Sequence, residues 1–562
     1  MDKKRWAGHF FNRLICAIAV FSMAAAAAAS PKPVLPNSVF SIAAYGAVGD
    51  GLTDNTAAIQ AAIAAASLAG GGVVEFPSAA KPYECGPITL SGNIKYQIDS
   101  AATLQCIPYA AYPLTGTAYV NFISANNARN IEISGKGTID GQGADWWKAF
   151  NADGNMPHRP YLIKFSSCTT VYVHDITLSN SPMFHLVLYG ADMTVDGLTI
   201  LAPANAPNTD GIDPAGSNFL IENCSIAVGD DNIALKPGNS ACKNFTITNC
   251  VFGTGHGLSV GGQTNFGLDS LTVTHCSFKR TTNGIRLKAN RTCGGLVHHL
   301  LYSDITMDSV QYPVYFSSYY NEAFSAIDSA QAVTATTPIW ENIAIRNLVS
   351  TNSTKPAITV QGLPEMPFQN VTFANTAFTG SVNFSIAHAH GVNFFNTTFN
   401  RQSAVLTTSP LDATIYHLTI TTGPQSQTIA EGSTMKLSVS VTADFTPTYQ
   451  WFHNDSALAA GSAASFTIDA FGTMDAGAYS VLISDSAGSI QSDLAIMALL
   501  GPLSINPKTF ARQIKTNNFA PQIVDCAGRS IPNKNPAATS VHNFYLMRDA
   551  SGKWGHKSRL NF

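Results

Sequence analysis

Apolar and polar positions alternate in short runs along most of this chain, and the runs recur. Val173-His174-Asp175-Ile176-Thr177, Val195-Asp196-Gly197-Leu198-Thr199 and Ile221-Glu222-Asn223-Cys224-Ser225-Ile226 share one pattern. Ile247-Thr248-Asn249-Cys250-Val251-Phe252, Val273-Thr274-His275-Cys276-Ser277-Phe278 and Tyr302-Ser303-Asp304-Ile305-Thr306 continue it. Taking positions 175, 197, 224, 250, 276 and 304 as equivalent gives steps of 22, 27, 26, 26 and 28 residues. A period-two pattern marks strands, and a repeat of this length marks a solenoid. One such coil cannot bury its apolar side alone, but stacked coils share a core. The fold class expected is therefore all-β: a right-handed parallel β-helix over residues 38–415.

The ends of this pattern differ from its middle. Asp54-Asn55-Thr56 precedes an alanine-rich stretch, residues 57–66, with Ile59 and Ile63 on one face, and Gly70-Gly71-Gly72 ends it. This predicts an N-terminal helix that caps the stack, whose open end would otherwise expose strand edges. Residues 418–500 return to alternation in another style. Tyr449-Gln450-Trp451 resembles the third strand of an immunoglobulin-like β-sandwich, and Asp475-Ala-Gly477-Ala-Tyr479 resembles its tyrosine corner. Leu437 or Val439 and Val481 occupy the usual disulfide positions, so this copy lacks the bridge. Residues 501–562 receive no assignment.

Composition narrows the setting. Of 562 residues, 12% are charged, about half the usual share of ~25%, and 43 are glycine. The net charge of −3 supplies no general attraction to nucleic acid or anionic membrane. Lys3, Lys4, Arg5 and Arg13 precede an apolar run from Leu14 to Met23 and six alanines. Residues 1–30 therefore read as a signal peptide, and the chain as a secreted monomer. Cys224, Cys250 and Cys276 share one repeat position, where compact buried side chains are expected rather than a bridge or metal ladder. Cys85 with Cys106, or Cys224 with Cys242, remain pairing options.

Candidate chemistry is concentrated in four clusters, 20 to 30 residues apart: Asn208-Thr209-Asp210, Gly229-Asp230-Asp231, Gly255-His256-Gly257 and Arg286-Leu287-Lys288. If each belongs to one coil, three carboxylates, an imidazole and two cations line one groove. Asp230 and Asp231 are adjacent, so both reach that groove only if the backbone bends after Gly229. A carboxyl cluster beside fixed cations can hold one acid protonated and another ionised, as glycoside hydrolysis requires. Arg286 suits bidentate grip of a sugar carboxylate, and Lys288 adds a point charge.

These four clusters, in this order, resemble the signature of glycoside hydrolase family 28, the polygalacturonases. Gly135-Lys-Gly137-Thr-Ile-Asp140-Gly141, Trp146-Trp147 and Asn180-Ser181-Pro182 match as well, and residues 45–56 resemble the opening of pectin-degrading β-helix enzymes. The resemblance covers roughly residues 38–405. It implies an inverting hydrolase of α-1,4 bonds in polygalacturonate, with no cofactor and no metal. It implies Asp230 as general acid, Asp210 and Asp231 as the residues that hold and activate water, and His256 as support for the acid. Asn208, Arg286, Lys288 and Tyr320 would bind substrate, with Tyr319 as competitor to Tyr320. Endo action is the expectation. Alternatives are an exo-acting enzyme, a rhamnogalacturonan or xylogalacturonan hydrolase, a calcium-dependent lyase, and a non-catalytic polysaccharide-binding β-helix.

Overall fold

A computed structural model describes residues 31–500 except 326, 382–383, 401, 404–410 and 486–487, together with Leu546–Arg548 and Trp554–His556. The proposed leader, residues 1–30, lies outside the described residues. So does most of the unassigned tail, of which the two short strands pair antiparallel.

The architecture is the right-handed parallel β-helix expected, followed by immunoglobulin-like sheets. Each full coil carries three strand segments, and each segment pairs in parallel with its counterpart one coil on. The sheet that carries the site contains β1 (Ile163–His174), β2 (Leu186–Asp196), β3 (Ile212–Glu222), β4 (Ile233–Leu235), β5 (Leu258–Gly261), β6 (Asn283–Lys288) and β7 (Tyr312–Ser317). Inward positions stack by kind: Ile163, Leu186, Ile212, Ile233, Leu258, Ile285 and Val314 form one buried ladder. Farther along β3, Phe219 stacks on Phe245 of the following coil at 4.7 Å and 4°. Truncating one such buried ring costs ~3–5 kcal/mol.

The corners explain the Asn, Asp and Gly of the repeat. Asp175, Asn223, Asn249, His275 and Asp304 all have φ between 51° and 56°, and Gly197 has φ 66°. Left-handed backbone tolerates these residue types best. The equivalent positions are thus 223, 249 and 275, one residue before the cysteines that the spacing suggests. Thr248 pairs with Glu222 and Thr274, which fixes this register. Cys224, Cys250 and Cys276 follow the corner as buried free thiols, and Cys85, Cys106 and Cys242 are buried and free too.

Helix α1 (Thr56–Leu68) buries Ile59, Ala62, Ile63 and Ala66 against the first strands. Asp54 Oδ1 accepts the Thr56 amide at 2.9 Å and so supplies the N-terminal acceptor. At the other end no linker separates the two architectures. Strand β8 (Leu411–Thr422) pairs in parallel with the last long coil strand and antiparallel with Ser440–Ala443 of the immunoglobulin-like region. Ala374 and Phe395 of the β-helix join Trp451, Tyr479 and Val481 in one core. Tyr479 Oη donates to the Asp475 carbonyl at 2.8 Å, which is the tyrosine corner read from the sequence.

Candidate active site

Side chains that point outward from the site sheet fall into two rows. Lys164, Val187 and Asp213 are register partners on β1, β2 and β3, and Ala234, Ser259, Arg286 and Tyr315 are partners from β4 to β7. Ile212 pairs with Ile233, which sets Asp213 beside Ala234 and joins the two series. The second row contains Tyr189, Ala215, Gly261, Lys288 and Ser317. Asp210, Asp230, Asp231 and His256 stand on the bends that lead into these strands.

Small groups clamp those bends. Thr209 Oγ1 donates to the Ala206 carbonyl and accepts the Gly229 amide at 2.9 Å, tying the first acid cluster to the second. Asn232 donates to the Ile226 and Thr254 carbonyls and accepts the Gly257 amide at 2.8 Å. Gly257 has φ 78°, and a Cβ there would lie 2.1 Å from the Asn283 carbonyl oxygen. His256 can therefore stand only on a bend flanked by glycine.

Asp231 is buried and surrounded by donors. Lys288 Nζ lies 2.7 Å from Oδ2, while Oδ1 accepts Ser259 Oγ at 2.8 Å and Arg286 at 3.4 Å. Burial would raise its pKa, but Lys288 first, then Arg286 and Lys236, hold the carboxyl well below the usual range. Asp230 is turned the other way and is partly open to solvent. Its Oδ1 meets His256 Nδ1 at 2.9 Å and accepts the Asp231 amide at 2.8 Å. The bend after Gly229 thus brings both adjacent acids into the site, as their joint use requires.

Asp210 sits in a pocket that the sequence reading left incomplete. Lys236 Nζ lies 3.2 Å from Asp210 Oδ2 and 3.2 Å from Asp213 Oδ2, and all three side chains are withdrawn from solvent. Burial, with Asp213 alongside, raises Asp210 well above the ordinary value, and burial pushes Asp213 up to about 7 against the pull of Lys236. The pair titrates as a unit and retains a proton near neutrality. His185 Nδ1 donates to the Asp210 carbonyl at 3.0 Å, and burial lowers the imidazole to about 4, so it stays neutral.

Asn208, with φ 54°, accepts Arg159 at 2.6 Å through Oδ1. That buried guanidinium also donates to the Pro182 and Pro207 carbonyls. Tyr320 lies beneath the cations, its ring 5.1 Å from Lys288 and 5.9 Å from Arg286. Tyr319 is buried instead, and its hydroxyl donates to Asp328 at 2.9 Å. Of the eight residues singled out in the sequence, the structure brings together Asp210, Asp230, Asp231, His256, Arg286, Lys288 and Tyr320, while the Asn208 side chain is taken up by Arg159. Asp213, Lys236, Arg159 and His185 were missed. A charge inside an apolar strand, as in Ile212-Asp213-Pro214-Ala215 or at the end of Ile233-Ala234-Leu235-Lys236, was the available signal.

Comparison with known proteins decides the family. The model for glycosyl hydrolases family 28 matches residues 72–398, more than half of the chain. The chain belongs to glycosyl hydrolase family 28. It is a glycoside hydrolase. A rhamnogalacturonase A/epimerase, pectate lyase-like model matches residues 39–79, and an immunoglobulin I-set model matches 418–497. A polygalacturonase of Juniperus ashei is 30% identical over 60% of this chain and 67% of its own length. An endo-polygalacturonase of Pectobacterium carotovorum subsp. carotovorum is 30% identical over 54% of this chain and 78% of its own. The exopolygalacturonase structure from Thermotoga maritima superposes with TM-score 0.57 at 21% identity, over 69% of this chain and 95% of its own, and shares the fold.

Among the described residues of this family 28 chain, two groups bring three metal-ligating atoms within 4.8 Å: Asp230 with Asp231 and His256, and Asp269 with His298 and His299. In the first group both Asp231 oxygens already face cationic donors, a poor setting for a further cation. Among the described residues no helix is long and apolar enough to cross a membrane.

Proposed function

We propose that this family 28 chain is a secreted, endo-acting polygalacturonase that hydrolyses α-1,4-galacturonosidic bonds of pectin by single displacement. The observation that carries the reading is the division between two adjacent acids. Asp231 is fixed as a carboxylate by Lys288 and Arg286, while Asp230 faces the groove on an imidazole. Asp230 donates its proton to the glycosidic oxygen as the bond to the anomeric carbon breaks. Asp231 takes a proton from water, and Asp210 helps hold that water. The water oxygen attacks the anomeric carbon from the opposite face, which inverts its configuration. His256 keeps Asp230 oriented and supports its return to the protonated state.

Arg286 and Lys288 neutralise the carboxylate of the ring beside the scissile bond. Tyr320 lies under these two cations, and Asn208 stands several coils away, before Asp210. Half-exposed side chains continue past Asp213 on β1 and β2, which supports cleavage within a chain rather than at its end. Pectin is the only partner required, and the protein acts as a monomer without a cofactor.

The test uses polygalacturonic acid in excess chelator, with reducing ends and ultraviolet absorbance followed together. The expected result is reducing ends without absorbance, lost in Asp230→Asn. Absorbance from an unsaturated product would indicate a lyase, and binding without reducing ends would indicate a non-catalytic β-helix.

A further inference from the structure

Three groove cations have internal counter-ions. Lys236 has Asp210 and Asp213, and Lys288 and Arg286 share Asp231. Lys164 stands in the outward row of Asp213 and Arg286 and has no carboxylate partner among the described residues. Its ammonium lies 5.1 Å from the Tyr161 ring centre and 5.9 Å from that of Tyr189. Outside the groove, by contrast, Lys95 of the same chain is paired with Glu132 at 3.1 Å.

We propose that Lys164, framed by Tyr161 and Tyr189, binds the carboxylate of a second uronate ring at the opposite end of the groove from Arg286 and Lys288. This rests on the polygalacturonate reading and extends it to a named subsite. Lys164 lies two coils before Asp213 and Arg286 three coils after it. At ~4.8 Å per coil the two cations stand ~24 Å apart along the axis, with the acids between them. A bound chain that meets both must extend more than one ring past the acids on the Lys164 side.

The surface between the acids and Lys164 is aromatic and continuous. Phe184 lies 5.0 Å beneath Lys236 and stacks on Tyr161 at 5.0 Å and 10°. Tyr189 Oη accepts Asn239 Nδ2 at 2.9 Å, which fixes the second ring. Such rings cover the apolar face of a sugar, and the ammonium takes its charged edge. Burial without a counter-ion holds Lys164 below the ordinary lysine range. Aromatic faces offset only part of that cost, so an incoming carboxylate gains more here than at an exposed lysine. The ligand chemistry is that of a free uronic acid. A neutral sugar or a methyl ester brings the ring without the charge.

The experiment measures KM and kcat on polygalacturonate and on trigalacturonate for wild type, K164Q, K164E and K164R, with exposed K355M as control. K164Q is expected to raise KM on the polymer about tenfold, the effect of one charge-assisted contact. K164E should raise it further and K164R should recover most of the loss. The penalty should shrink on the trimer, which cannot span both cations. Calorimetric binding of the polymer to D230N with and without K164Q should show the same loss. A wild type that hydrolyses the polymer while K164Q matches K355M in KM and binding overturns this subsite alone. A wild type inert on the polymer overturns the parent reading and the subsite with it.

Discussion

Two pockets on adjoining coils hold the same chemical groups in inverse proportion. Around Asp231 one carboxylate meets two cations, Lys288 and Arg286. Around Lys236 one cation meets two carboxylates, Asp210 and Asp213. Burial is nearly complete in both, so desolvation alone cannot separate them. The ratio of charges does. Two cations override burial and lock Asp231 as an anion, whereas one shared ammonium leaves the Asp210–Asp213 pair with a proton. Identical side chains in one groove thereby acquire opposite protonation.

Breaking the cation-rich pocket should have the largest effect. Asp231→Asn removes the base and should lower kcat by ~10³ in steady-state assays with polygalacturonate. Removing the shared ammonium comes next. Lys236→Met leaves two buried carboxyls without a cation and should cost ~3 kcal/mol near pH 7. Because both can be neutralised by protonation, the loss in denaturant midpoint should shrink as pH falls to 5.

Stability as a function of pH separates the pockets by sign. Asp213 titrates at 3.8 when unfolded and at about 7 when folded. Between those values the folded protein binds more protons, so stability falls as pH rises. Asp231 behaves oppositely, because its folded pKa is depressed. Its contribution is present above its unfolded value of 3.8 and is lost as pH drops below it. Asp213→Asn should flatten the slope between pH 4 and 7, and Asp231→Asn should flatten the acid limb, both read from unfolding midpoints. The smallest effect belongs to the ring under the cations. Tyr320→Leu should raise KM about threefold through loss of ~0.7 kcal/mol of cation–π attraction.

The cation-rich pocket was legible in the sequence and the acid-rich one was not. Asp231, Arg286 and Lys288 belong to clusters of charged and glycine residues that interrupt an apolar repeat, so their spacing alone placed them together. Asp213 and Lys236 each sit within or just after an apolar run, where a single charge reads as an irregularity. Only the coil-to-coil register brings them to Asp210. Arg159 comes from an earlier coil and has no local pattern that would link it to Asn208. The repeat itself was clear because its inward positions are uniformly apolar. Its phase was one residue off at three coils because the spacing was taken from Cys224, Cys250 and Cys276 rather than from the left-handed corners before them.

The most direct test of the central claim is the anomeric configuration of the first product, followed by proton NMR as polygalacturonate is cleaved. Asp231-activated water attacking opposite the departing oxygen predicts that the β-anomer of the new reducing end appears first and then mutarotates. Initial release of the α-anomer would contradict single displacement by this acid pair.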